Sequence, residues 1–569
     1  MKKEAALTAS LRLLFAAALL APVSALAAAP PTTLSGPADV GRMQQREENA
    51  PPPPVSNAPE TAPPLFPAIA APEQSKHVTL TLKEVRVTGM TVFTPAAIED
   101  IYAPYIGKKI TLDTVWALAT KVTQRYRDAG YFLSRVAVPQ QEIEDGIIHL
   151  RVIEGYIGDI QFDNDLAQNR IVGDWLDRLK SLRPLKAGQL ENVLLSLNDL
   201  PGVNLHAVLE PLPAAEGGDG AVRLVLEPRP QNSVSGVIGF DNNGSRFLGP
   251  YEAQAQMQAV IIPTQRTTVA LLSSLPWKKV KYASLKHELP LFEGGTLELY
   301  GSYTTAVPGY TLQPYDIRSH STIYGTAIDY SIIRQRQQNL SGRVAFEAQD
   351  TEADILDTPL TRDYVRALRF GLTYQLADIW NGQNAVTGTL SQGVAILGAS
   401  PQGQENLSRS EAKPNFTKFN LDASRLQGVT QDWSVFLATA AQVASGPLYS
   451  SEQFGYGGQV FGRAYDDSEI TGDNGINAAG ELRYGGLSPW LGLQPVPYGF
   501  YDTGAVWNDD PSQGIYAAGS SAGAGFRMLS DFGFSSNFGI AFPLTHIIAN
   551  PIYGNSKNPR YFLQVSYAF

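Results

Sequence analysis

The last nine residues, Tyr561-Phe562-Leu563-Gln564-Val565-Ser566-Tyr567-Ala568-Phe569, constrain the fold more than any other stretch. Positions 561, 563, 565, 567 and 569 are all large and apolar, and Gln564, Ser566 and Ala568 stand among the residues between them. A period of two is that of a strand with one face toward an apolar medium and the other toward a polar one. A terminal Phe569 closing such a strand is expected of a membrane-spanning barrel, where it acts as an assembly signal. The competing reading is the last strand of a soluble sandwich.

The opposite end favours the barrel. Lys2, Lys3 and Arg12 accompany an apolar run from Leu13 to Leu20, followed by Pro22 and the small-x-small triplet Ala25-Leu26-Ala27. This pattern predicts a secretory signal over 1–27, cleaved after Ala27. Beyond it no stretch reaches the roughly 18 apolar residues of a membrane helix. An exported chain that spans a membrane without helices has to close its strands into a barrel.

Composition removes several function classes. With no Cys there is neither a disulfide scaffold nor a thiolate metal site. A net charge of −10 without a basic block argues against nucleic acid. His77, His149, His206, His287, His320 and His546 show no paired metal-ligand spacing, and no phosphate-binding glycine loop ends in Lys and Ser or Thr. No metal or cofactor is expected.

The texture changes three times along the chain. Residues 28–77 are rich in Pro and Ala, which favours an extended tether, with a short polar helix expected at about 38–50. From 78 to 230 strand and helix signals alternate. Residues 82–89 read as a strand, Thr94-Pro95 as a helix start, and 112–129 as a helix whose Val115, Leu118, Val122 and Tyr126 share one face. Two strands follow, joined at Glu144-Asp145-Gly146. The order β-α-α-β-β recurs in 157–228, so 78–155 and 156–230 read as two copies of one small α+β unit. From 231 onward helical periodicity disappears. At roughly 20 residues for a strand and its connection, 231–569 holds on the order of 16 antiparallel strands, enough for a wide pore.

Several stretches carry a known pattern. Residues 130–155 contain Gly130-Tyr131, Ser134, Pro139, Gln141 and a closing Val152-Ile153-Glu154-Gly155. Residues 194–203, 239–249, 461–475, 498–507 and 541–544 add further matches. Together they resemble the outer-membrane transporters of bacterial two-partner secretion, of the haemolysin secretion/activation type. That resemblance implies a transmembrane β-barrel of about 16 antiparallel strands preceded by two periplasmic α+β POTRA modules. It also implies a plug helix and an inward-folded loop at about 452–478. The implied function is recognition of an unfolded exoprotein and its passage to the surface. The partner would be a large adhesin, cytolysin or contact-dependent toxin, with outer-membrane lipid and the barrel assembly machinery as further partners and no nucleic acid. The alternative is an outer-membrane protein assembly factor, whose relatives usually carry more modules.

The resemblance places an Arg at the loop tip, here within Gly462-Arg463-Ala464-Tyr465, opposite a wall strand containing Phe500, Asp502 and Gly504. Alternation puts Phe500, Asp502, Gly504 and Val506 on one face, which must be the lumen because a carboxylate facing hydrocarbon is costly. A guanidinium on the loop and this carboxylate are suited to a bidentate pair, with Gly504 leaving room for the loop. The family usually has Gly where this chain has Ala464, which would be strained if the position required a positive φ. Gly519-Ser520-Ser521-Ala522-Gly523 fits a nucleophile elbow, yet no helix is expected after it; an enzyme is not expected.

Overall fold

The structure, a computed structural model, describes residues 31, 34, 36–43, 46, 72–510, 514–549, 551 and 554–569. The expected signal at 1–27 and most of the 28–77 tether lie outside these residues. Among the described residues no helix is long and apolar enough to cross a membrane.

The first module contains β1 (Thr79–Thr81), β2 (Glu84–Thr88), β3 (Lys109–Thr111), α1 (Leu112–Asp128), β4 (Arg135–Ala137) and β5 (Ile147–Ile153). Its sheet has the order β2-β5-β4, with β2 parallel and β4 antiparallel to β5. Val115, Leu118, Val122 and Tyr126 of α1 are buried against Ile148, Leu150 and Val152, which alternate along β5. A helical period on one layer meets a strand period on the other, and this closes the core. The helix expected from Thr94-Pro95 begins there but comes in three short pieces, a 3-10 turn at Pro95–Ala97, an α-helical turn at Glu99–Tyr102 and a 3-10 turn at Ala103–Tyr105, and Thr94 makes no side-chain cap bond. Pro104 limits the α-helical turn at its end, because it lacks the N–H that a continuing helix would use there. The strand expected at 82–89 is β2 (Glu84–Thr88), and β1, just before it, pairs separately with β3.

The second module repeats the plan with β6 (Tyr156–Gln161), α2 (Arg170–Ser181), α3 (Ala187–Asp199), β7 (Leu205–Pro211) and β8 (Ala221–Pro228). Its sheet order is β6-β8-β7, again one parallel and one antiparallel pair. Asn169 caps α2 by accepting the N–H groups of Ile171 and Val172. Val172, Trp175 and Leu179 pack on Leu190, Val193 and Leu197 of α3 and on Val222, Leu224 and Leu226.

The wall begins with β9 (Val234–Asp241), β10 (Glu252–Ala259), β11 (Arg266–Ser274), β12 (Val280–Phe292), β13 (Gly295–Ala306) and β14 (Arg318–Arg334). It continues through β15 (Gln338–Ile355), β16 (Thr358–Ala377), β17 (Gly382–Gly393), β18 (Thr417–Gly428) and β19 (Trp433–Ala444). Two short strands, β20 (Phe454–Tyr456) and β21 (Ile470–Gly472), pair only with each other. The wall then resumes with β22 (Asn474–Tyr484), β23 (Leu493–Trp507), β24 (Tyr516–Ser530), β25 (Phe534–Pro543) and β26 (Arg560–Ala568). These sixteen antiparallel strands form a closed barrel, with β26 back on β9. Closure leaves no ladder edge in the hydrocarbon, where an unpaired backbone group costs several kcal/mol.

The second module sits on the barrel turns. Arg178 pairs with Glu293 at 2.9 Å and Asp199 with Arg334 at 2.6 Å, while Thr264 N–H donates to the Pro201 carbonyl at 3.0 Å. The ends of β10, β12 and β14 therefore mark the entry side, and the turn after β15 lies at the opposite end.

At the last strand, Tyr561, Leu563 and Tyr567 are exposed on the outer face. The inner face is not purely polar, because Phe562 is buried with its ring 6.2 Å from that of Phe500. The closing ladder pairs Gln564–Ala568 with Asp241–Val237, and Phe569 extends it. Its N–H donates to Gly236 O at 2.9 Å, and Gly236 N–H donates to Phe569 O at 3.0 Å. A Cβ at Gly236 would stand 2.7 Å from the Phe569 ring. Deleting Phe569 removes both bonds, each worth about 1 kcal/mol net in water and more in lipid. Deletion of Phe569 and Gly236→Val are each expected to lower the fraction of heat-modifiable barrel on semi-native gels. Normal levels in both would show that this seam does not depend on the terminal residue.

Candidate functional site, a loop anchored inside the barrel

Residues 445–473, between β19 and β22, fold into the lumen and return through the β20–β21 hairpin. The expected end of this loop at 478 is too late, since Asn474 already belongs to the wall. The loop tip turns at Gly462, whose φ of +79° belongs to the left-handed region. Ala464 is not among the described residues with positive φ and is buried at 3% exposure. The strain anticipated for Ala464 is therefore absent, because the turn takes its left-handed residue two positions earlier.

Arg463 is 7% exposed and Asp502 fully buried. The guanidinium donates from Nε to Asp502 Oδ2 at 3.0 Å and from Nη2 to Oδ1 at 2.7 Å, a bidentate fork. The Arg463 backbone N–H adds a bond to Oδ2 at 3.1 Å, and Ser521 Oγ donates to the same oxygen at 3.2 Å. The remaining Nη1 donates to Glu481 Oε1 at 2.5 Å. Glu481 in turn pairs with Arg483 at 2.7 Å and Arg527 at 3.0 Å. The Arg463 guanidinium carbon lies 3.7 Å from the centre of the Phe500 ring, in cation–π contact.

Glycines on the wall shape the seat of this loop. The Tyr456 ring lies over Gly504 of β23 and Gly519 of β24, where any Cβ would collide with it. Tyr465 is fully buried and donates its hydroxyl to Ser520 O at 2.9 Å. Its ring sits 5.7 Å from Tyr456 and 5.8 Å from His546. Ser521 stands in the middle of β24, so its surroundings lack the strand–turn–helix of a nucleophile elbow.

Three further ionic anchors were not anticipated from sequence. Arg246, in the turn after β9, pairs with Asp466 at 2.7 Å and Glu469 at 2.6 Å. Glu452 is held by Arg369 and Lys418, both at 2.7 Å. Asp473 is held by Arg409, both buried. The partners are 34 to 223 positions apart and share no local spacing. For Glu481 a signal was available, because it alternates with Ala479 and Arg483 on a strand facing the same lumen as Asp502.

Of the plug helix expected at about 38–50 the structure describes 38–43 and 46; Gly36–Ala38 and Val40–Arg42 are 3-10 turns, and Met43 and Arg46 are α-helical. Ala38, Val40 and Met43 are buried, and Arg42 is 5% exposed. Arg42 donates to Ser468 Oγ at 3.1 Å and to the carbonyls of Ser450 and Gln453, each at 2.9 Å. Gln349 of β15 donates to Gly41 O at 2.7 Å. The segment thus joins the inward loop to the wall.

The signature residues of the first module build its own fold and its joint with the second. Gly130, at φ +90°, ends α1, and its carbonyl accepts from Ala187 N–H at 2.9 Å. Tyr131 lies under Lys186, 5.1 Å from the ring centre. Gly155 packs on Leu133, which is buried in the second module's core, and its N–H donates to Ser134 Oγ at 3.2 Å. Gln141 pairs with the His149 backbone at 2.7 and 2.8 Å and also donates to Pro139 O at 3.3 Å. Glu154 accepts from Thr91 N at 2.8 Å, Val92 N at 3.1 Å and Tyr126 Oη at 2.8 Å. Burial alone would raise the Glu154 carboxyl, but these bonds together hold it below its ordinary range.

Comparison with known proteins follows the same lines. Residues 291–526 match the family model described as haemolysin secretion/activation protein ShlB/FhaC/HecB, and residues 80–155 match the ShlB-type POTRA domain. The chain is 24% identical over 467 residues to the heme/hemopexin transporter protein HuxB of Haemophilus influenzae, covering 78% of this chain and 80% of HuxB. It is 22% identical to the outer membrane transporter CdiB of Dickeya dadantii, over 71% of this chain and 72% of that one. The solved structure of CdiB from Escherichia coli superposes with a TM-score of 0.70 at 18% identity, covering 93% of this chain and 96% of CdiB.

Removing one member of a buried ion pair typically costs about 3–5 kcal/mol, because the other charge is stranded. In a lumen the loop can instead swing into water, so the loss is expected in loop position rather than in barrel stability. Arg463→Ala and Asp502→Ala should each mobilise a spin label on the loop while heat-modifiability stays near normal. The double variant should be no worse than the worse single one, and Glu481→Gln should be milder because the Asp502 fork survives. Additive effects in that cycle would assign the two residues independent roles.

Proposed function

Since the chain belongs to the haemolysin secretion/activation family of two-partner secretion outer-membrane transporters, we propose that Arg463 and Asp502 lock a loop whose release opens the pore to an exoprotein. The observation that carries this reading is the way the lumen is filled. The Arg463 fork on Asp502 ties the loop to the wall through charged groups that water can solvate once they separate, while Phe454, Tyr456, Tyr465 and Ile470 of the loop pack on Tyr498, Phe500 and Val506 of the wall.

The modules stand on the entry side, in the periplasm, and offer sheet edges beside helices. In the first module β4 pairs on one side only and lies against α1. That arrangement suits addition of an extended segment as a further strand. The exoprotein, a large adhesin, cytolysin or contact-dependent toxin, would be captured there before it enters the barrel. The signature residues act by holding this surface in register with the second module, through the Gly155–Leu133 and Gly130–Ala187 contacts. Passage needs no nucleotide, and folding of the exoprotein outside makes it one-way. Outer-membrane lipid surrounds the wall, and insertion relies on the barrel assembly machinery.

Loss of the chain from its host should abolish surface display of one large exoprotein and leave other outer-membrane proteins at normal levels. A general fall in barrel proteins would overturn transport in favour of an assembly role. Deleting 38–50 is expected to raise conductance in planar bilayers while some secretion persists. Unchanged conductance would show that the segment does not obstruct the pore.

A further inference from the structure

Strand β16 runs for 20 residues, about twice what a span requires. It pairs with β17 only over Ala367–Ala377, so Thr358–Arg366 has β15 on one side and no described strand on the other. This free flank stands at the end of the barrel opposite the modules.

The connection between β17 and β18, residues 394–416, lies along that flank as an irregular substitute for a strand. Arg362 N–H donates to Asn406 O at 2.6 Å, Ser400 N–H to Tyr364 O at 2.9 Å and Val394 N–H to Arg366 O at 2.9 Å. Ser400 Oγ accepts from Tyr364 N–H at 3.0 Å and donates to Arg362 O at 3.3 Å. On the inner face Leu407, Ala412 and Phe416 cover Val365 and Ala367. On the outer face Arg362 and Arg366 are held by Glu352 at 3.1 Å and Asp350 at 2.6 Å of β15.

The same cover is fastened to both roots of the inward loop. Arg409 clamps Asp473 and donates to Leu448 O at 2.9 Å. Tyr449 Oη donates to Ser400 O, and Ser450 N–H donates to Ser408 Oγ at 3.1 Å. Movement of the inward loop therefore pulls on the cover.

We propose that Thr358–Arg366 is a docking edge for the emerging exoprotein, covered at rest by 394–416 and bared when the inward loop leaves the lumen. This rests on the transport reading above. The fitting occupant is an extended segment with alternating apolar and polar residues. Its backbone replaces the bonds of Asn406 and Ser400, and its apolar side chains take the places of Leu407 and Phe416. An edge presented at the exit gives the arriving chain its first strand partner.

The test uses the full chain in proteoliposomes, spin-labelled through Thr358→Cys, which is unique because the chain has no Cys. The probe is a spin-labelled twelve-residue peptide of alternating Val and Thr, added outside. Arg409→Ala and the milder Tyr449→Phe should each tighten binding about tenfold or more by freeing the edge. Adding Tyr364→Pro, which removes an N–H that points only to the cover, should abolish the gain. Binding that ignores Tyr364→Pro would overturn the proposal. So would absence of binding in variants whose 394–416 loop has become protease-sensitive. Exoprotein display is measured separately, so a failed transport reading and a failed docking edge give different results.

Discussion

A wall of sixteen strands encloses more space than its own inward side chains can fill, and the rest of the structure follows from how that space is occupied. The protein fills it with chain rather than with larger side chains. The plug segment at 36–43 and the loop at 445–473 both enter the lumen and bond to each other through Arg42. Because the wall is closed by its own ladders, neither insert is needed to hold the barrel shut.

The contacts of these inserts are directional. Arg463, Glu452, Asp473, Asp466 and Glu469 all reach partners on the wall or its connections. Buried pairs add little net stability, since desolvation offsets much of the attraction. They do add direction, because a fork such as Arg463 on Asp502 accepts one geometry. Glycine and aromatic complementarity, with Tyr456 over Gly504 and Gly519, supplies the shape. An insert held this way is well located while it is in place.

Much of this was legible in the residues. Period-two alternation gave the wall, and inward Asp502 followed from the cost of a carboxylate in lipid. Residues 157–228 were readable almost element by element, because their helices and strands carry one unbroken period each. The first module was less so. The helix expected from Pro95 comes in three short pieces, and β1 lies outside the main sheet and pairs with β3. Phe562, on the face opposite the lipid, reads as an anomaly until Phe500 is found beside it.

The sequence by itself determined what is periodic or local: the strand pattern and the repeated module. Local sterics and burial set these, and both leave marks within a few residues. Only the tertiary structure decided which charges meet. Arg409 reaches Asp473 across 64 positions and Arg246 reaches Glu469 across 223. It also decided that Ala464 is unstrained and that 394–416 covers the edge of β16. Such pairings depend on barrel register and on where a closed wall brings distant turns together, and no spacing along the chain encodes them.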